Sequence, residues 1–86
     1  MAITLELTPD LAQAFGKREV SIEANSPRQI AQRLAAAYPQ HRHYFLNSAG
    51  DLRPSLIFYV GHEQIGDDEA IPDGATVGML FQISGG

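Results

Sequence analysis

Apolar and polar residues alternate from the start of the chain, with Ile3, Leu5 and Leu7 set between Thr4, Glu6 and Thr8. A period of two predicts a strand with one buried face. Val20, Ile22 and Ala24 alternate in the same way with Ser21, Glu23 and Asn25, which predicts a second strand. The connection from Thr8 to Glu19 is long for a hairpin, and its residues predict a helical turn. Thr8 is placed to cap it, Pro9 suits the first helical position, Leu11 and Phe15 share a face, and Gly16 stops it.

The clearest helix comes next. Ser26 is a good N-cap, Pro27 fits the first position, and Gln29 completes a capping box with Ser26. Ile30, Leu34, Ala37 and Tyr38 recur at helical spacing and predict the buried stripe. Pro39 ends the helix, because the residue before a proline avoids helical dihedrals. The stretch from Gln40 to Asn47, with Tyr44, Phe45 and Leu46, predicts a short further helix, and Asn47 to Asp51 a turn. Leu56 to Val60 is apolar and β-prone and predicts a third strand. Gly61-His62 turns it, and Glu63-Gln64-Ile65 returns as a short edge strand. Residues from Gly66 to Ala75 are polar and turn-rich, with Pro72-Asp73-Gly74 as the sharpest signal. Thr76 to Ile83 predicts the final strand, with Val77, Met79, Phe81 and Ile83 on one face and Leu80 and Gln82 on the other. Ser84-Gly85-Gly86 follows it.

No repeat or linker divides this order, so residues 1–86 are read as a single domain. The economical packing is α+β: one mixed sheet of four to five strands with one main helix across one face. The first and last strands are both central candidates, and pairing them in parallel makes the arrangement β-grasp-like.

Composition narrows the chemistry. The chain has 86 residues and no cysteine, which removes disulfides, a thiolate nucleophile and thiolate metal sites. Any sulfur it handles must ride on something else. The net charge is −4, and the six cations are scattered. A nucleic-acid partner needs a basic stripe, so none is expected, and a basic protein groove is the more natural partner. There is no apolar run long enough to span a membrane and no basic-then-apolar leader, so a cytoplasmic location is expected. His41, His43 and His62 are too few for a metal site and are read as surface residues. Ser55, His62 and Asp73 have no pattern that would unite them as a triad. No phosphate-binding loop is present, so no cofactor is expected on this chain. The acidic run Asp67-Asp68-Glu69 is read as a solvated loop, with electrostatic steering toward a basic partner as its functional reading.

The terminal Gly85-Gly86, the pair Tyr38-Pro39 after the helix, Leu52-Arg53-Pro54, the strand Phe58-Tyr59-Val60, the Asp73-Gly74 turn and Val77 leading into the last strand form a pattern. Together with the element order, this pattern resembles the MoaD/ThiS family of ubiquitin-like sulfur carriers over nearly the whole chain. The resemblance implies a β-grasp (ubiquitin-like) fold and a role as co-substrate rather than enzyme. It implies that an ATP-dependent, ubiquitin-activating-like enzyme adenylates the carboxylate of Gly86. A sulfur donor such as a sulfurtransferase then converts it to a thiocarboxylate, and an acceptor synthase consumes the sulfur. ATP belongs to the partner. Pathways to molybdopterin, cysteine or another sulfur metabolite fit equally, and an isopeptide-forming modifier or a non-covalent adaptor remains as an alternative. Gly61, Ala75 and the segment Phe81 to Ser84 depart from the usual family residues.

Glycine suits that terminus physically, since the missing Cβ lets enzyme backbone approach closely. Ile57, Tyr59, Leu80 and Gln82 are expected on the sheet face opposite the helix as a docking patch. Phe81, Ile83 and Ser84, which lead toward Gly85 and Gly86, are assigned to the same partner contact.

Overall fold

The computed structural model describes residues 2–81. Five strands form one sheet in the order β2-β1-β5-β3-β4: β1 Ala2–Glu6, β2 Glu19–Glu23, β3 Leu56–Val60, β4 Glu63–Ile65 and β5 Thr76–Phe81. β1 and β5 run parallel in the middle, and the other neighbours are antiparallel. The helices are α1 Pro9–Phe15, α2 Pro27–Ala37 and α3 Arg42–Phe45, with a single 3₁₀ turn at Pro39–His41. This is the expected β-grasp arrangement, with α2 as its main helix.

The Asp-Gly turn sets the central pairing. Gly74 takes a φ of 80°, which the third position of a type II turn demands and which glycine adopts without strain. The turn closes through the Ala75 N–H donating to the Pro72 carbonyl at 3.1 Å. The Gly74 N–H meanwhile donates to the Ala2 carbonyl at 2.9 Å, and the Thr4 N–H to the Ala75 carbonyl at 3.0 Å. Those two bonds dock the start of β5 beside β1 and fix the register Leu5 to Val77.

Period-two patterning puts Ile3, Leu5, Val77, Met79, Leu56 and Phe58 on one buried face. α2 covers that face with Ile30, Ala31, Leu34 and Ala35. The predicted stripe is rotated slightly from the observed one. Ala37 is exposed, because it lies at the margin of the stripe in the last turn, and Ala31 and Ala35 are buried instead. Ile71, from the stretch read as polar loop, is also buried, its N–H donating to the Asn25 carbonyl at 2.8 Å.

Helix ends follow the sequence signals closely. Thr8 accepts from the Leu11 N–H at 3.3 Å, and Gly16 closes α1 in the left-handed region. Ser26 accepts from the Gln29 N–H at 3.3 Å. The return bond of the capping box is displaced by one residue: the side-chain Oε1 of Gln29 accepts from the Asn25 N–H at 3.0 Å rather than from that of Ser26. Ser26 is buried, so Ser26→Ala leaves an N–H of α2 with neither side chain nor ready solvent as partner. The expected cost is about 1 kcal/mol, read as a fall of roughly 4–8 °C in thermal unfolding for a domain of this size. An unchanged melting temperature would contradict it.

α1 and α3 flank the lower end of α2. The Phe15 and Tyr38 rings stack with centroids 4.0 Å apart and planes inclined by 6°, and Phe45 closes on Phe15 from the core. Such aromatic pairs add about 0.5–1.5 kcal/mol beyond their buried area. No helix among the described residues is long and apolar enough to cross a membrane.

Candidate functional site

The face of the sheet away from α2 carries the outward residues of the alternating strands. On β5 these are Thr76, Gly78 and Leu80, and on β3 Ile57 and Tyr59. Ile57 stands opposite Leu80, and Tyr59 opposite Gly78. Leu80 keeps 40 % of its surface exposed, and Ile57 and Tyr59 are half-buried. Three of the four predicted patch residues therefore share one face. The fourth, Gln82, lies outside the described residues, as do Ile83, Ser84, Gly85 and Gly86.

Phe81 falls on the face that alternation predicted for it, with Val77 and Met79 and away from Leu80. Its side chain turns to the helix side of the sheet, is half-buried, and packs against the core, because position 81 continues the Val77–Met79 face. Its ring lies 6.2 Å from that of Tyr44 in α3. Among the described residues Tyr44 is the other large hydrophobic side chain left open, at 40 % exposure. An open groove runs between Thr8, Asp10 and Leu11 of the α1 region, Tyr44, and the end of β5 at Leu80 and Phe81. The last described residue of the central strand is thus bordered by two exposed apolar side chains, one from each face.

The same outward face changes character on β1 and β2. Glu6 stands opposite Glu19, and Ala2 opposite Glu23. The only ion pair among the described residues lies elsewhere, so these carboxylates face solvent without a cation at contact distance. That pair joins Arg28 Nε to Asp68 Oδ1 at 2.8 Å, with a second bond from Nη2 to Oδ2 at 3.3 Å. The hydrogen bonds from Arg28 hold the Asp68 carboxyl below its usual range. The neighbouring Asp67 carbonyl accepts from the Arg28 N–H at 2.9 Å, and Glu69 accepts from the Gly66 N–H at 3.0 Å. The acidic run is exposed, as read, but two of its three side chains also tie the loop to itself and to the start of α2.

His43 and His62 are exposed. His41 is half-buried, with ring centroids 5.3 Å from Phe15 and 5.6 Å from Tyr44. Among the described residues no three His, Asp or Glu side chains gather as a metal site would require.

Two features of the site escaped sequence reasoning. Tyr44 belonged to a run read only as a short helix, and nothing local says which of its aromatics faces out. Gly78 interrupts an apolar strand, and that interruption was the available signal, since a strand glycine often marks a close approach.

No protein-family model and no curated protein matches the chain. Solved structures do. Small archaeal modifier protein 1 from Haloferax volcanii superposes with a TM-score of 0.80 at 21% identity, over 100% of both chains. CysO from Mycobacterium tuberculosis, described as an antigen, gives 0.73 at 24% identity, over 94% of this chain and 99% of its own. A chain of the Amycolatopsis orientalis BexX/CysO complex gives 0.75 at 18% identity, over 98% and 99% respectively. The ubiquitin-like fold expected from the sequence therefore extends along essentially the whole chain.

Proposed function

We propose that this chain is a sulfur carrier whose reactive group is the carboxylate of Gly86. The observation that carries the reading is the setting of Phe81, the last described residue of the central strand. β5 is held on both sides by β1 and β3, and its last described residue lies beside the exposed Leu80 and Tyr44. Five residues follow Phe81, the last of them Gly86. At roughly 3.3 Å per residue they reach at most about 16 Å. That is enough for the terminus to enter a partner's active site while Ile57, Tyr59 and Leu80 rest on the partner's surface.

The chemistry needs a partner because a carboxylate is a poor electrophile. In the proposed sequence the Gly86 carboxylate attacks the α-phosphorus of ATP, and pyrophosphate leaves. Sulfide-level sulfur from a donor enzyme then attacks the acyl carbon. A C–S bond forms, the C–O bond to AMP breaks, and a thiocarboxylate remains. At an acceptor synthase the thiocarboxylate sulfur bonds to the acceptor, and water then attacks the acyl carbon, the C–S bond breaks, the sulfur stays on the acceptor and the carboxylate returns. The nucleotide site belongs to the activating enzyme. The complex in which the Amycolatopsis CysO fold was solved supports a carrier that works against a protein partner. The exposed Glu6 and Glu19 suit a partner with basic residues around its docking surface.

A second reading is protein modification, with Gly86 joined to a lysine amine. The name of the Haloferax neighbour, a modifier protein, favours it. Intact-mass spectrometry of the chain from its source organism separates the readings. A carrier shows a species heavier by the difference between one sulfur and one oxygen atom. A modifier shows ladders of larger conjugates. A single unmodified mass under conditions of sulfur demand would count against both.

A further inference from the structure

Gly78 sits in the middle of β5, paired to Glu6 of β1 on one side and Tyr59 of β3 on the other. A glycine in a strand interior costs roughly 0.5–1 kcal/mol relative to alanine and packs nothing. Its backbone does not require it. The glycines with positive φ are Gly16, Gly50, Gly61 and Gly74, so the dihedrals of Gly78 admit any L-residue. Space is what excludes a side chain. A Cβ at position 78 would lie 2.5 Å from Cε2, 2.9 Å from Cζ and 3.1 Å from Cδ2 of Tyr59. Carbon atoms in van der Waals contact rest about 3.5–4.0 Å apart. The phenol ring therefore fills the volume that any residue other than glycine would use.

The position of the ring follows. Side chains on a sheet ordinarily stand roughly perpendicular to it. Tyr59 instead leans from β3 across β5, its ring lying over the backbone of Gly78, and it lines a hollow shared with Leu80. Tyr59, Leu80 and Ile57 thus stand together on the outward face, with Ile57 opposite Leu80 and Tyr59 opposite Gly78. We infer that Gly78 is a positioning residue for docking: by lacking a side chain it lets the Tyr59 ring lie flat on the sheet as the platform that the activating enzyme contacts. The inference rests on the carrier reading. A purely structural role, in which the ring only covers a glycine to recover strand stability, makes a different prediction. It lowers the melting temperature without a selective change in docking.

The test uses the full chain with Gly78→Ala, Tyr59→Ala and the double variant Tyr59→Ala with Gly78→Ala. The readout is ATP–pyrophosphate exchange by the activating enzyme of the source organism, with KM for the carrier and kcat fitted separately. Thermal unfolding and the ring-current shift of the residue 78 Hα are recorded in parallel. Gly78→Ala is expected to lose the ring-current shift and to raise KM about tenfold, as loss of a central aromatic anchor does, with kcat little changed. The double variant matches Tyr59→Ala alone, because Gly78 acts only through the ring. If Gly78→Ala melts too low for the standard assay, KM is read at a lower temperature at which it is folded, where the same rise is expected. A KM unchanged in Gly78→Ala while Tyr59→Ala raises it overturns the inference. So does a further rise in KM from Gly78→Ala on the Tyr59→Ala background. If neither tyrosine nor glycine variants change KM, the docking face is wrong and the inference falls with it, while the chemistry at Gly86 stands. If the wild-type chain is not activated at all, the carrier reading itself has failed and takes the inference with it.

Discussion

Removing Gly86 is expected to abolish charging of the chain completely while its body unfolds at the same temperature as the wild type. The carrier reading places all of the chemistry on one acyl carbon and none of it in the fold. A variant ending at Gly85 still carries a carboxylate, but one residue, about 3.3 Å of extended chain, short of its place. Misplacement of a reacting group by even about 1 Å costs on the order of a hundredfold in rate, so a whole residue leaves nothing measurable. The assay is intact mass after incubation with the activating enzyme, ATP and a sulfur donor. Wild type gains the sulfur-for-oxygen increment and the shortened chain does not. Equal charging of the two would remove the basis of the proposed function. The second half of the expectation comes from packing: no described core residue lies beyond Met79, and the partly buried Phe81 is retained.

Phe58→Ala is expected to produce the opposite phenotype, a chain that fails to fold rather than one that fails to be charged. Phe58 is 2 % exposed beneath α2 and pairs across β3 and β5 with Met79. Truncating a buried phenylalanine costs about 3–5 kcal/mol, the lost transfer energy plus the cavity left behind. Whole domains are stable by only about 5–15 kcal/mol, and one this small, which buries only ~60–65% of its unfolded surface, stands at the lower end. Urea titration therefore places the midpoint of Phe58→Ala near zero denaturant. Tyr59→Ala, one residue along the strand, keeps a midpoint close to the wild type. The contrast depends only on strand alternation, which sends adjacent side chains to opposite faces. Similar midpoints for the two variants would show that the face assignment is wrong.

Much of the fold was legible because it rests on local signals. The period-two runs in β1, β2 and β5, the caps at Thr8 and Ser26, the stop at Pro39 and the glycine turns at Gly16 and Gly74 each follow from steric or hydrogen-bond demands within a few residues. The parallel pairing of β1 with β5 was also within reach, since two strongly apolar strands at opposite ends of a small chain have few other ways to be buried. The buried face of α2 was less accessible. Alanine carries little apolar signal, so nothing in the sequence ranks Ala31 and Ala35 above Ala37, and the sheet beneath makes that choice. Ile71 was hidden by its polar neighbours and enters the core only because its loop bonds to Asn25.

The candidate site divides along the same line. Its reactive end, Gly85-Gly86, and the outward positions Ile57, Tyr59 and Leu80 follow from residue type and alternation, which are properties of the chain itself. Which side chains complete the surface was decided by tertiary structure. Tyr44 lies open beside Phe81 because α3 places it there, whereas the inward turn of Phe81 already followed from alternation. Gly78 acquires meaning only when β3 pairs with β5 and lays Tyr59 over it. Local sequence dictates what each segment forms and which way a side chain points from its own strand. It cannot say what will lie within 4 Å across a gap of nearly twenty residues, because that distance is set by packing of the whole.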